Sequence, residues 1–359
     1  MPKEAPVRLA PESLGFCLKY NNIERGRKCV TSSERSVFRN KSFRFFFGLA
    51  IGAILVYFSI KGVSWTEVKN EFESIAYGWI FVALFFYWIE LTMRIIRWRF
   101  LLSKLKLPIA SNKIFLSFMA GSAANNVLPA KLGEAFRADL LGRLAKVSRM
   151  TIFGSIIIER LADIIIILGM TAWGILFIST MHPETVNEVN TGLVLLTFPV
   201  ALLVIALYFL IVKKPRFLRI KLKSVESKIH NLMQGLQSIE DPRTILALLG
   251  STIIVWTLNC LAIWSIMAAL HIDLSVNQII LLVGMSSIST AIPAAPAGIG
   301  TLQYAFHLAA ILFDFSTSAA LVASALIQIA LLGSATLAGA FSYSYAISNH
   351  LMPSGQAKI

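Results

Sequence analysis

Long apolar runs recur along the chain at about 43–60, 78–98, 151–179, 192–212, 245–270 and 317–347, with polar stretches between them. At about 1.5 Å per residue each is long enough to cross roughly 30 Å of hydrocarbon, so each is predicted to be a full transmembrane helix. Two further apolar runs are broken. One covers 113–128 and stops at Pro129; the other covers 276–312 and is interrupted by IPAAPAGIG at 292–300. Proline lacks an amide donor and glycine frees the backbone, so both runs are expected to break rather than span.

Basic residues assign the sides. The segment before 43 and the stretches 94–113, 131–149 and 213–243 are rich in Lys and Arg, whereas 180–191 and 244–357 contain neither. The alternation places both termini in the cytoplasm. Because 94–113 and 131–149 are both basic, the run between them must enter and leave on one side, as a re-entrant hairpin. Irregular backbone at that depth is tolerated only against protein or a water-filled cavity. Asp273 and Asp314 flank the second broken run on the outer side.

The order span, span, re-entrant, span then occurs twice with opposite orientation, an inverted-topology repeat. NNVLPA at 125–130 and STAIPA at 289–294 echo each other across it. The expected fold is an all-α polytopic membrane protein with about six full transmembrane helices plus two re-entrant or broken helical hairpins. Residues 1–41 read as a basic, disordered cytoplasmic tail, since they lack the apolar core of a secretory signal. Residues 42–347 form the transmembrane domain, and 348–359 a short cytoplasmic tail. Within 213–243, Leu218, Leu222, Val225, Ile229, Leu232 and Leu236 make an amphipathic face expected on the cytoplasmic leaflet. GLAIG at 48–52 offers small residues for internal packing.

Composition agrees with the pattern. The chain is 56% hydrophobic with a mean hydropathy of +0.71, outside the soluble range. Its net charge of +14 lies beside apolar spans, which favours anionic lipid headgroups over nucleic acid. Cys17, Cys29 and Cys260 suggest neither a disulfide framework nor a metal site. No phosphate-binding GxxxxGK[ST] loop occurs, and His182, His230, His271, His307 and His350 do not cluster, so no cofactor or metal is expected.

The candidate chemistry sits at NNVLPAKLGEAFRADL, 125–140. Pro129 and Gly133 start a helix, and Glu134 and Arg137 are three residues apart, close enough to pair. Arg137 and Lys131 near a helix N-terminus would attract an anion, and a guanidinium can bind two phosphate oxygens. Asn125 and Asn126 can meet freed backbone groups or a headgroup. The next span holds IIIERLADIII, where Glu159, Arg160 and Asp163 are costly in an apolar helix and are expected to face a cavity or one another. Arg137 or Arg94 is the expected partner of Asp163. In YWIELTMRIIRWRF, Glu90 and Arg94 are candidates for the same cavity. Arg97 and Arg99 read as ordinary cytoplasmic anchors, and Trp88 and Trp98 as interface markers. Around the second break, Pro293, Pro296, Gly298 and Gly300 permit close approach of backbone or ligand.

These three blocks, NNVLPAKLGEAFRADLL, IIIERLADII and PAAPAGIGTLQYAF, resemble those of the lysylphosphatidylglycerol synthase transmembrane-region family of flippase-like membrane proteins. The resemblance covers roughly 43–347. That family includes the membrane half of the multiple peptide resistance factor, hopanoid-associated membrane proteins and archaeal lipid-linked glycosylation proteins. It implies a plasma-membrane domain that moves or handles lipids, and it carries functional positions onto Asn126, Pro129, Gly133, Glu134, Arg137, Glu159, Arg160, Asp163, Pro293, Pro296, Gly298 and Gly300. Two departures stand out. The soluble lysyl-transfer domain is missing, so lysyl-lipid synthesis is not expected, and Ala297 stands where the family's second block usually has glycine.

The leading expectation is translocation of a phospholipid or lipid-linked headgroup between leaflets. The alternatives are a membrane-embedded transferase, and a scaffold for a lipid-modifying partner protein that would dock on 213–243. No catalytic motif such as HExxH or Asp-x-Asp supports the enzyme reading.

Overall fold

A computed structural model describes residues 50, 52–61, 63–128, 132–181, 231–232, 234–236, 241–291 and 296–349. Internal contacts divide the chain at residue 43, and everything described belongs to the unit 44–359. The expected span at 192–212, Pro129, Lys131, Pro293, the two tails and most of 213–243 lie outside the described residues.

Every regular element among the described residues is helical. That is the expected outcome for a chain in lipid, where each backbone polar group must be satisfied within its own segment. Helix α1 covers 52–60. It is followed by α2 (Trp65–Glu73), α3 (Tyr77–Lys104), α4 (Ser111–Val127), α5 (Gly133–Ala145) and α6 (Arg149–Met181). The second half has α7 (Pro242–Ala269), α8 (Val276–Ala291), α9 (Thr301–Phe313), α10 (Thr317–Leu326) and α11 (Gly333–Ser348), with a π-helical turn at Ile327–Leu332 joining the last two. Caps mark several starts. The Ser64 hydroxyl accepts from the Glu67 amide, Asp241 accepts from the Arg243 amide with Pro242 in the first turn, and Ser316 accepts from Ala319.

Among the described residues, Tyr77–Lys104, Pro242–Ala269, Pro296–Phe313 and Thr317–Ser348 are long and apolar enough to cross a membrane. Helix α6 runs for 33 residues, about 50 Å at the usual rise. The first broken run is α4, which ends at Val127 and packs on α5 from Gly133; the second divides into α8, ending at Ala291, and α9, starting at Thr301, which pack on each other. The π turn inside the final span has no counterpart in the sequence reading.

Packing partners are exchanged between the halves. Helix α3 packs on α7, α4 on α11, and α8 on α6; within the halves, α5 packs on α6 and α9 on α10. The cross-half contacts are close because small residues line them. A Cβ at Gly339 of α11 would meet the Met119 carbonyl of α4, and one at Gly284 of α8 would meet Thr171 of α6. Gly52, within the GLAIG stretch, lies against Gly300, so that small-residue face serves internal packing. The end of the amphipathic segment also packs on protein, with Leu232 and Gly235 against Gly154 of α6 and Leu236 in a cluster with Leu101 and Ile158. There it covers a helix rather than the leaflet.

Candidate functional site

Helices α3, α5 and α6 bring eight charged side chains together, four arginines and four carboxylates. Helical spacing accounts for the pairs within one element. Glu90 and Arg94 are one turn apart on α3 and meet at 2.8 Å. On α5, Glu134 and Arg137 approach to 3.9 Å, and on α6 Arg160 and Asp163 lie 3.3 Å apart.

The remaining pairs depend on the fold. Arg97 has a fully buried side chain, and its fork spans α6. One terminal nitrogen donates to Asp163 Oδ1 at 2.8 Å and to the Thr252 hydroxyl, the other to Glu159 Oε1 at 2.9 Å. Arg97 is therefore not a cytoplasmic anchor. Trp98 is not at an interface either: it is wholly buried, its ring nitrogen donates to Ser155, and the Arg137 guanidinium stacks 3.5 Å from its ring centroid. Phe118 flanks the same guanidinium at 4.4 Å. Arg137 donates to Glu159 Oε2 at 3.0 Å, so it points into the protein instead of presenting its whole fork to a ligand. Asp163 takes Arg97 as its main partner, with Arg160 next and Arg94 at 3.8 Å; the expected pairing with Arg94 exists but is the loosest, and Arg137 goes to Glu159. In so apolar a setting, each buried charge persists because an opposite charge and hydrogen bonds accompany it.

Beside this cluster is a cavity of ≈ 290 Å³. Asn125, Asn126, Glu134, Arg137, Glu90, Arg94, Arg160 and Asp163 all line it. Glu159 lies behind the wall, fully buried. Gly133 sits at the α4–α5 crossing, where a Cβ would strike the Gly121 carbonyl and the Asn125 backbone. Pro296, Gly298 and Gly300 do not line the cavity. They form the second break, where Gly298 and Gly300 have positive φ and Ala297 adopts φ 53° without being glycine. The break is tied down by amides: Gln303 accepts from the Gly300 amide at 2.7 Å and donates to Gln328, which donates to the Ala297 carbonyl.

The second half contributes neutral polar groups to the cavity: Trp256, Asn259, Ser287 and Thr290. Asn259 donates to Glu90 at 2.9 Å, and the Trp256 ring nitrogen reaches Asp163. None of these four was singled out from sequence. Asn259 carried a usable signal, a carboxamide in the middle of an apolar span. Arg94, Arg137 and Arg160 are matched by Glu90, Glu134 and Asp163, so the cavity wall is polar and charge-balanced. Arg160, with 38% of its side chain exposed, is the least enclosed of the eight. Among the described residues, Glu134 Oε2 and Asn125 Oδ1 are buried acceptors that receive no hydrogen bond.

Comparison with known proteins identifies the family of the chain. The family described as lysylphosphatidylglycerol synthase TM region matches residues 45–339. A UPF0104 membrane protein of Methanocaldococcus jannaschii is 27% identical over 184 residues, covering 50% of this chain and 76% of the relative. One of Methanothermobacter thermautotrophicus is 21% identical over 276 residues, covering 71% of this chain and 81% of the relative. No solved structure matches. The chain belongs to the lysylphosphatidylglycerol synthase TM region family and is an integral membrane protein.

Proposed function

We propose that this membrane protein moves a phospholipid or lipid-linked headgroup between leaflets of the plasma membrane, through the cavity between its two halves. The observation that carries the reading is the cavity wall. It combines guanidiniums, carboxylates and carboxamides in a bundle whose helices are otherwise apolar. Such a wall replaces water around a polar headgroup, while the acyl chains remain in lipid.

The α4–α5 and α8–α9 pairs act as re-entrant hairpins, and the exchange of partners between halves is what an inverted-topology repeat would produce. With basic loops inside, both termini are cytoplasmic. Arg160 takes the headgroup phosphate, being the least enclosed guanidinium at the cavity. Glu134 Oε2 and Asn125 Oδ1 accept from a headgroup amine or hydroxyl. A binding role suits these groups better than group transfer. Glu159 and Asp163 are each clasped by arginines, and a carboxylate so held is a poor proton acceptor.

The test is headgroup exchange in liposomes. Purified protein is reconstituted with fluorescent phosphatidylglycerol, phosphatidylethanolamine, an aminoacylated lipid or a polyprenyl phosphate, with and without Arg160→Gln. Exchange of one class that the variant loses supports the reading. If folded protein exchanges none of them, the reading falls.

A further inference from the structure

A second compartment lies on the opposite face of α4 from the polar cavity. It is a trough of ≈ 460 Å³ between α4, α5 and α11. Its walls include Ala120, Ala123, Ala124, Gly339 and Ala340, so small side chains leave the space open. Helical periodicity separates the compartments. Residues 121, 122, 125 and 126 of α4 face the cavity, and 120, 123, 124 and 127 face the trough.

One hydrogen bond links the linings of the two compartments. Asn126 lines the cavity and Thr336 lines the trough. The Asn126 amide donates to the Thr336 hydroxyl at 2.9 Å and to the Leu332 carbonyl at 3.2 Å. At the other end of the trough Asp139 pairs with Arg143 at 2.7 Å and also with Arg149, an ion-paired rim that suits the water–lipid boundary.

We infer that the trough is a binding site for one hydrocarbon chain of a lipid whose headgroup occupies the polar cavity, with the Asn126–Thr336 hydrogen bond as the latch between the two. This rests on the lipid-handling reading and adds the site for the apolar part of the substrate. Three observations point to a single chain as the occupant. The trough lies across α4 from the cavity and the Asn126–Thr336 hydrogen bond links the two linings, so headgroup and chain sites are about one helix width apart. Its lining is apolar apart from Thr336, Tyr343 and the ion-paired rim, so an inserted segment with polar backbone groups would find few partners. Its floor is closed by the direct α4–α11 contact at Gly339, which leaves a shallow channel rather than a gap between helices.

The experiment uses the full chain in nanodiscs that contain phosphatidylglycerol with a photoactivatable diazirine in one acyl chain. Cross-linked peptides are mapped after illumination. The expected result is several-fold enrichment of label on the α4 and α11 segments that border the trough, relative to lipid-facing residues such as Leu246 and Trp173. Ala340→Phe and Val127→Trp, both at exposed positions on the trough wall, should each reduce that label several-fold and leave labelling elsewhere unchanged. Thr336→Val, which removes the hydroxyl acceptor, should increase it.

Label spread evenly over all lipid-facing helices, unaltered by either filling variant, overturns the assignment. So does disulfide formation between two copies of an Ala340→Cys variant on mild oxidation, which would make a second copy of the chain the occupant of the trough. The readout is occupancy, so it separates from transport. Enriched trough labelling in a protein that exchanges no headgroup keeps the chain site and rejects translocation.

Discussion

The Arg97 guanidinium sits 2.8 Å from Asp163 Oδ1, with both side chains buried, and this pair fastens α3 to α6. Removing one partner leaves an uncompensated charge in an apolar interior. Arg97→Met should therefore destabilise the protein by about 3–5 kcal/mol. The double variant Arg97→Met/Asp163→Leu should be less destabilised than the sum of the singles, with a coupling of about 0.5–3 kcal/mol. Thermal unfolding in detergent across the four-protein cycle reads both quantities. Additive losses would mean that the pair is not energetically coupled.

Arg137 and Arg160 should separate folding from function. Arg137 is stacked on Trp98 and bonded to Glu159, so Arg137→Ala should lower thermal stability and headgroup exchange together. Arg160 is the least enclosed of the cluster, its partners Glu159 and Asp163 keep Arg97 and Arg137 beside them, and Gln retains a hydrogen-bond donor at the position. Arg160→Gln should leave the unfolding midpoint nearly unchanged while exchange falls by at least about tenfold, the loss expected when a charged hydrogen bond of about 1.5–3 kcal/mol is removed. A variant with wild-type exchange would remove Arg160 from the substrate path.

Gly133 provides a packing test. Its Cα lies against the Gly121 carbonyl and the Asn125 backbone, so a methyl group there meets backbone that cannot swing aside. Gly133→Ala should cost about 1–3 kcal/mol through overpacking at the α4–α5 crossing. Gly169, on α6, has no atom within 4 Å of the corresponding position. Gly169→Ala should be neutral or slightly stabilising, by up to about 1 kcal/mol, because alanine favours a helix interior. Equal effects of the two substitutions would contradict the close crossing.

The sequence made legible those features that depend on one helix. Glu90 with Arg94, and Arg160 with Asp163, are local spacings, and the structure forms both. The helix ends at Val127 and Ala291 also followed from local chemistry, because each precedes a proline in the sequence. Arg97 and Trp98 were misread for a physical reason. A basic and aromatic run at the end of an apolar span is ordinarily an interfacial anchor, and only the arrival of α6 turns it inward. Asn126 was read as meeting either freed backbone groups or a headgroup; its bonds to the Leu332 carbonyl and Thr336 cross more than two hundred positions, so no local pattern encodes these partners. The charge balance of the cavity was likewise hidden, since it needs three helices to be summed together.

Ala297 gives the last prediction. It occupies φ 53°, within the left-handed region, in the turn that precedes α9. An L-residue there brings its Cβ close to the following carbonyl, at a cost of about 1–2 kcal/mol that glycine avoids. Glycine also carries more backbone freedom into the unfolded chain, which offsets about 0.4–1 kcal/mol of that gain. Ala297→Gly should therefore stabilise the protein by about 1 kcal/mol or less. The turn is held independently by Gln303 on the Gly300 amide and by Gln328 on the Ala297 carbonyl, so glycine there inherits a fixed geometry. Breaking that support first should reverse the outcome. In a Gln328→Leu background the carbonyl loses its donor, and Gln303 loses the oxygen to which it donates. The added freedom of glycine should then lower stability instead of raising it. Unfolding midpoints of Ala297→Gly in the two backgrounds decide the matter: opposite signs mean that the amide relay holds the turn, and equal shifts mean that the turn is fixed without it.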